Sequence, residues 1–160
     1  MAPIARRIVS GLNRRLRGLA RDESAAEAVE FAIVLPVLLL VVLGGLQFGL
    51  TVAQYSMLTT AVGAGARQLS LSRGSTTTPY TSTLSAVRSA APLLSTSTLT
   101  ISLSVNGTAC TADTSCTTTL NLAQGQPSNV SATYPCSLRV LTQNFAPNCT
   151  LSASTTMMVQ

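Results

Sequence analysis

From Phe31 to Ala66 the chain carries no charged residue, and FAIVLPVLLLVVLGGLQFGLTVA (31–53) is almost wholly apolar. About 20 apolar residues in a helix cross the hydrocarbon core of a bilayer, where no water satisfies a bare backbone. The run therefore reads as a membrane-spanning helix. Pro36 falls in its first third and Gly44-Gly45 follows. A proline frees a backbone carbonyl and kinks a helix, which membrane helices tolerate better than soluble ones.

The charges are arranged around this run. All ten basic residues are arginines, and Arg6, Arg7, Arg14, Arg15, Arg17 and Arg21 precede it. Asp22, Glu23, Glu27 and Glu30 form an acidic cluster at its lip. Arginines beside a span hold that flank in the cytoplasm, which accounts for them better than a nucleic-acid arm does. Ile4, Ile8, Val9, Leu12, Leu16 and Leu19 recur at helical spacing, so residues 1–21 read as a short amphipathic helix on the inner membrane surface.

Two export routes fit such a terminus. In the first, a signal peptide is removed after the apolar run. That run is longer than the usual 7–15-residue signal core, and Thr51-Val52-Ala53 is the nearest approach to a small-residue cleavage site. In the second, the helix is retained and only its basic leader is cut away on the cytoplasmic side.

The helical pattern continues past the span. Met57, Leu58, Ala61, Val62, Gly65, Ala66 and Leu69 share one face, and Ala61, Gly63 and Gly65 form a small-residue surface that admits another backbone. As one helix, residues 27–70 are about 65 Å long. That exceeds the bilayer thickness, so the distal part is expected to project as a stalk or lie against a head.

GSTTTPYTS, from Gly74, breaks the pattern. Ser82–Ala91 reads as a second helix, with Leu84, Val87 and Ala91 on one side and Pro92 ending it. The period then changes from 3.6 to 2. In residues 99–105, Leu99, Ile101, Leu103 and Val105 alternate with Thr100, Ser102 and Ser104, the signature of a half-buried strand. Asn106-Gly107 marks a turn. Further strands are expected at Thr117–Leu122, Asn129–Tyr134 and Thr150–Met158, with a hairpin-like turn at 123–128. The fold class is α+β: a long transmembrane and stalk helix, a second short helix, and a small antiparallel head sheet of three to four strands. Three regions follow, a basic leader (1–25), the long helix (26–73) and an extracytoplasmic head (74–160).

Cys110, Cys116, Cys136 and Cys149 all follow the span. An even count on the non-cytoplasmic side points to disulfides. A zinc site fits poorly, since Cys110 and Cys116 are six apart and the chain has no histidine. Four cysteines allow three pairings. The local one, Cys110–Cys116 and Cys136–Cys149, is preferred because each pair brackets a turn. Each bridge adds about 2–4 kcal/mol to a head whose core is small.

No catalytic constellation is visible. Asp113 is the only acid after Glu30, and there is neither a histidine base nor a nucleophile elbow. The reading is of a protein that is not an enzyme, with no cofactor, no metal and no nucleic-acid partner. The Asn-x-Ser/Thr matches at Asn106, Asn129 and Asn148 are of the kind that chance supplies in a Ser/Thr/Asn-rich chain.

The stretch over residues 25–70 resembles the TadE-like family, the pseudopilins or minor pilins of tight-adherence (Flp, type IVc) pili. The resemblance rests on Val29-Glu30-Phe31, on the following Ala-hydrophobic-hydrophobic-Leu-Pro segment that ends at Pro36, and on Gly65-Ala66-Arg67. It implies a precursor cut by a dedicated membrane prepilin peptidase so that a glutamate becomes the fifth residue of the mature chain. Counting back from Glu30 makes Ala26 the new N-terminus and Ala25 the residue before the cut. The family usually has glycine at that position, and Glu27 is an additional acid. For Glu30 the resemblance implies an assembly role, pairing with a freed N-terminal amine, with the aromatic Phe31 beside it. The implied partners are the inner membrane, the prepilin peptidase, other pilin subunits and the assembly platform. The implied function is to prime, cap or join a pilus that serves surface attachment. The competing reading is a secreted or membrane-anchored surface-binding protein outside any pilus.

Overall fold

The computed structural model describes residues 23–136, 138–140 and 143–160. The amphipathic helix expected over residues 1–21 lies outside them. The first element, α1 (Glu23–Leu71), is a helix of 49 residues with Pro36 inside it. Contacts divide the chain within this helix, between Gly45 and Leu46.

In the first unit the described residues are helical throughout. Val29, Phe31, Ile33, Val34 and Val37 to Val42 are all exposed. Apolar side chains on every side of a helix, with no stripe, are the pattern of a segment whose solvent is lipid.

The second unit opens on the rest of α1, which is one-sided. Leu58, Ala61, Val62, Ala66 and Leu69 are fully buried, while Arg67 is exposed. Steps of three and four residues place the buried set on one face. Helix α2 (Pro79–Ala90) starts with proline at its first turn, where the missing N–H costs nothing and φ is already helical. It buries Thr83 and Val87. Strands β1 (Thr100–Val105), β2 (Thr108–Cys110), β3 (Pro127–Pro135) and β6 (Thr150–Met158) form one antiparallel sheet in the order β2-β1-β3-β6. Two short strands, β4 (Arg139–Val140) and β5 (Gln143–Asn144), pair with each other.

The register follows the alternation read from sequence. Leu103 faces Val130 and Ile101 faces Ala132 across β1 and β3. Leu103, Val105, Val130 and Ala132 are buried in one cluster with the buried face of α1 and with Val87 of α2. Asn106 and Gly107 join β1 to β2 with φ of 48° and 78°. Positive φ at both central positions is what a two-residue hairpin with the right twist requires.

Residues 117–122, expected as a strand, are helical instead. They belong to α3 (Asp113–Leu122). Thr117, Thr118 and Thr119 each donate a hydroxyl to the carbonyl four residues back, at 2.8, 3.0 and 2.8 Å. Their polar groups are thus satisfied inside a helix despite β-branching. Cys116 and Leu120 are buried one turn apart on its inner face. The turn at 123–128 consequently joins a helix to β3 and is not a hairpin.

Gly63 is also placed differently from the expectation. A side chain there would meet nothing within 4 Å, whereas one on Gly65 would collide with Val87 and lie 3.4 Å from Val130. Only Gly65 allows the close approach of α1, α2 and β3.

The cysteines pair as Cys110–Cys116 and Cys136–Cys149, with Cα separations of 4.9 and 5.0 Å, inside the range a disulfide spans.

Candidate membrane and assembly surface

The apolar part of α1 is long enough to cross a bilayer once. The segment Glu27–Leu71 includes an 18-residue window of mean hydropathy 2.6, none of it buried. The residues singled out for processing and assembly all lie on this helix. The Ala25–Ala26 bond is in its opening turns, Glu30 and the 63 % exposed Phe31 follow, and Pro36 comes soon after. Pro36 lacks the N–H that would bond the carbonyl of Ala32, so one polar backbone group faces the apolar surroundings without its helical donor.

Glu30 is exposed, one turn after the exposed Glu27, where the apolar surface of the helix begins. A carboxylate within such a surface is unfavourable in lipid unless it lies at the interface or meets a cation. The next residue in the chain that could supply a positive side chain is Arg67.

In the head, a second acid has a defined partner. Asp113 Oδ1 accepts the N–H of Thr81 at 2.9 Å, and Oδ2 accepts the Thr81 hydroxyl at 2.6 Å. Thr81 sits in the first turn of α2, whose preceding residue, Thr78, makes no side-chain cap. Asp113 thus caps α2 from the start of α3, where free N–H groups and the helix dipole favour negative charge. The Thr81 hydroxyl, followed by the Thr81 backbone N–H, holds the Asp113 carboxyl below its ordinary value, against a smaller opposing effect of desolvation. In the sequence Asp113 lies between Cys110 and Cys116, in no recognisable capping pattern. Thr78, ahead of Pro79, is itself of a type that caps helices, so the sequence gives no sign that a distant carboxylate fills this role.

An open cleft of about 490 Å³ lies between Gly74, Ser75, Thr76, Thr77, Thr117 and Asn121. None of these side chains is ionisable near neutral pH. Among the described residues, no group of three or more His, Cys, Asp or Glu could hold a metal ion.

The head is an α+β unit of four antiparallel strands, and the helix leading into it has a lipid-compatible surface on all sides. Together they define a small α+β head on a long apolar helix. Residues 25–67 match the model of the family described as TadE-like protein, so the chain carries a TadE-like segment. That segment covers the apolar run and the first buried turns of the head. No curated protein and no solved structure matches the chain.

Proposed function

We propose that this chain is a pilin-like subunit of a tight-adherence pilus system. It is held by α1 in the inner membrane, with its basic leader in the cytoplasm and its disulfide-bonded head outside. In this reading it primes, caps or joins the fibre and has no catalytic role. The observation that carries the proposal is the TadE-like match over residues 25–67, which opens at the residue before the proposed cut.

Hydrolysis of the Ala25–Ala26 bond removes the arginine-rich leader and frees an α-amine, which is largely protonated at neutral pH. Glu30 is then the fifth residue. As apolar helices bundle, the ammonium group of one subunit meets the carboxylate of another, and both charges leave water together. A buried pair of this kind contributes little net stability, but a slipped register leaves one charge unpaired, which is costly. On insertion scales an acid at the centre of a span costs about 3 kcal/mol, an upper bound for a group at the membrane edge. The pair thus acts on alignment, while the apolar surface supplies adhesion between helices and lipid.

Mass measurement of the mature protein tests processing. A chain that begins at Ala26 supports the proposal, and one that begins near Gln54 replaces it with an ordinary signal peptide. Glu30→Gln keeps the shape and removes the charge. Pilus formation is expected to fall by at least an order of magnitude in this variant while the protein still accumulates in the membrane. Normal pili from Glu30→Gln would refute the pairing role.

A further inference from the structure

The two edges of the head sheet differ in character. At one edge, β2 has three residues, and its Cys110 is bridged to Cys116 on α3. At the other, β6 has nine residues, TLSASTTMM, with no charge and no proline. Hydrogen bonds at the two ends of the β3–β6 ladder set its phase. Cys136 N–H donates to the Cys149 carbonyl at 3.0 Å, and Val159 N–H donates to the Gln126 carbonyl at 2.9 Å. Odd-numbered residues of β6 therefore bond to β3. Thr150, Ser152, Ser154, Thr156 and Met158 turn their N–H and C=O groups outward, because these directions alternate along a strand. Among the described residues no backbone group pairs with that outer edge.

Proteins commonly blunt long edges with charges, prolines, bulges or covering elements. The stretch from Gln143 to Gln160 contains no ionisable side chain, and β6 is paired with β3 residue for residue over its whole length without a bulge. Its inner face is also incompletely covered. Leu151, Ala153, Thr155 and Met157 are half-buried, whereas Val130 and Ala132 on the neighbouring strand are buried.

We propose that the β6 edge is a self-recognition interface, pairing antiparallel with β6 of a second copy about a two-fold axis at Ser154. In this register Ser154 faces Ser154 of the other copy, Ser152 faces Thr156, and Thr150 faces Met158. These are the outward-bonding residues, and their five pairings form about ten backbone hydrogen bonds. No like charges meet, and Ser and Thr pairs across strands are favourable. On the inner face Leu151 comes opposite Met157 and Ala153 opposite Thr155, so each copy covers the half-buried face of the other. A head-to-tail alternative would have to use β2, which offers only three residues. The self-pair consumes both open edges and leaves an eight-stranded sheet bounded at each end by a stapled β2. It is closed and does not propagate. This inference rests on the head and does not depend on the pilus reading.

The test uses the full chain in detergent, with single cysteines introduced on the exposed outer face. In the proposed register the two Cα atoms at position 154 lie about 5.5 Å apart, within disulfide range. Those at position 152 are displaced by four residues along the strand, about 13 Å. Under mild oxidation Ser154→Cys is expected to yield at least about tenfold more covalent dimer than Ser152→Cys, with the new bridge mapped to position 154 by peptide mass and both native disulfides retained. Ser154→Lys, which places like charges at the axis, should shift the uncrosslinked protein from dimer to monomer with its circular dichroism spectrum unchanged, and its melting temperature should lose the concentration dependence that dimerisation gives. Equal crosslinking at the two positions, no crosslinking at either, or a bridge from position 154 to a different protein would overturn the proposal.

Discussion

Substituting alanine for Gly65 tests whether the close approach of α1, α2 and β3 holds the head together. A Cβ at this position would overlap a methyl of Val87 and lie 3.4 Å from Val130 and 3.6 Å from Thr83. Val87 is fully buried and sits in a helix, where valine has one strongly preferred rotamer, so the methyl cannot simply turn away. Overpacking of this kind costs about 1–3 kcal/mol. Replacing glycine by alanine inside a helix recovers about 1 kcal/mol of propensity. The net expectation for Gly65→Ala is a loss of up to about 2 kcal/mol, roughly up to 8 °C in melting temperature for a unit of this size. Gly63→Ala is the matched control. It lies in the same helix, two residues away, with nothing within 4 Å of the added atom. Propensity alone then acts, and the head should gain about 0.5–1 kcal/mol. The assay is urea unfolding of the full chain in detergent, followed by near-ultraviolet circular dichroism of Tyr80 and Tyr134, which both pack against the core. Combining Gly65→Ala with Val87→Ala removes the methyl that collides, so the double variant should be at least about 1 kcal/mol more stable than the sum of the single losses. Equal shifts at positions 63 and 65, or additive losses in the double variant, would refute the packing argument.

Asp113 links stability to pH. Its folded pKa is depressed, chiefly by the Thr81 hydroxyl, so its contribution is fully present above the unfolded value near pH 4 and fades as pH falls through the folded value. The protection factor of the Thr81 amide, its exchange rate relative to the unstructured rate at the same pH, should fall on acidification below about pH 4, and Asp113→Asn should remove that dependence. Replacing Cys136 and Cys149 together by serine opens a connection with a sequence separation of 13, which on loop entropy costs about 3 kcal/mol, read by the same urea titration. Peptide mapping without reductant should recover Cys110 linked to Cys116 and Cys136 linked to Cys149. A Cys116–Cys136 peptide would refute both local pairs.

Where the sequence pattern had a clean period, the architecture followed it. The apolar run beyond Phe31 is a helix because a lipid-facing backbone must satisfy itself locally, and the 58, 61, 62, 66, 69 spacing continues that helix into the head. β1 and β3 show the alternation that residues 99–105 and 129–134 carry, and Asn106-Gly107 makes the hairpin its residue types favour. The threonine run at 117–119 was the misleading signal. β-branching suggested a strand, and the burial of Cys116 and Leu120, four residues apart, suits either period; within the helix the threonine hydroxyls are satisfied by carbonyls four residues back.

What the sequence determined by itself was local: a span set by hydrocarbon thickness, a helix face set by a 3.6-residue period, strands set by a period of two, and the Val-Glu-Phe segment that carries the family likeness. The tertiary structure decided the rest, because those features depend on residues far apart in the chain. Asp113 caps a helix that begins 34 residues earlier (113 − 79), at Pro79. Gly65 is required by Val87 and Val130, which no local pattern joins to it. The open edge of β6 is a property of strand order, which appears only once β3 has taken β1 on one side and β6 on the other.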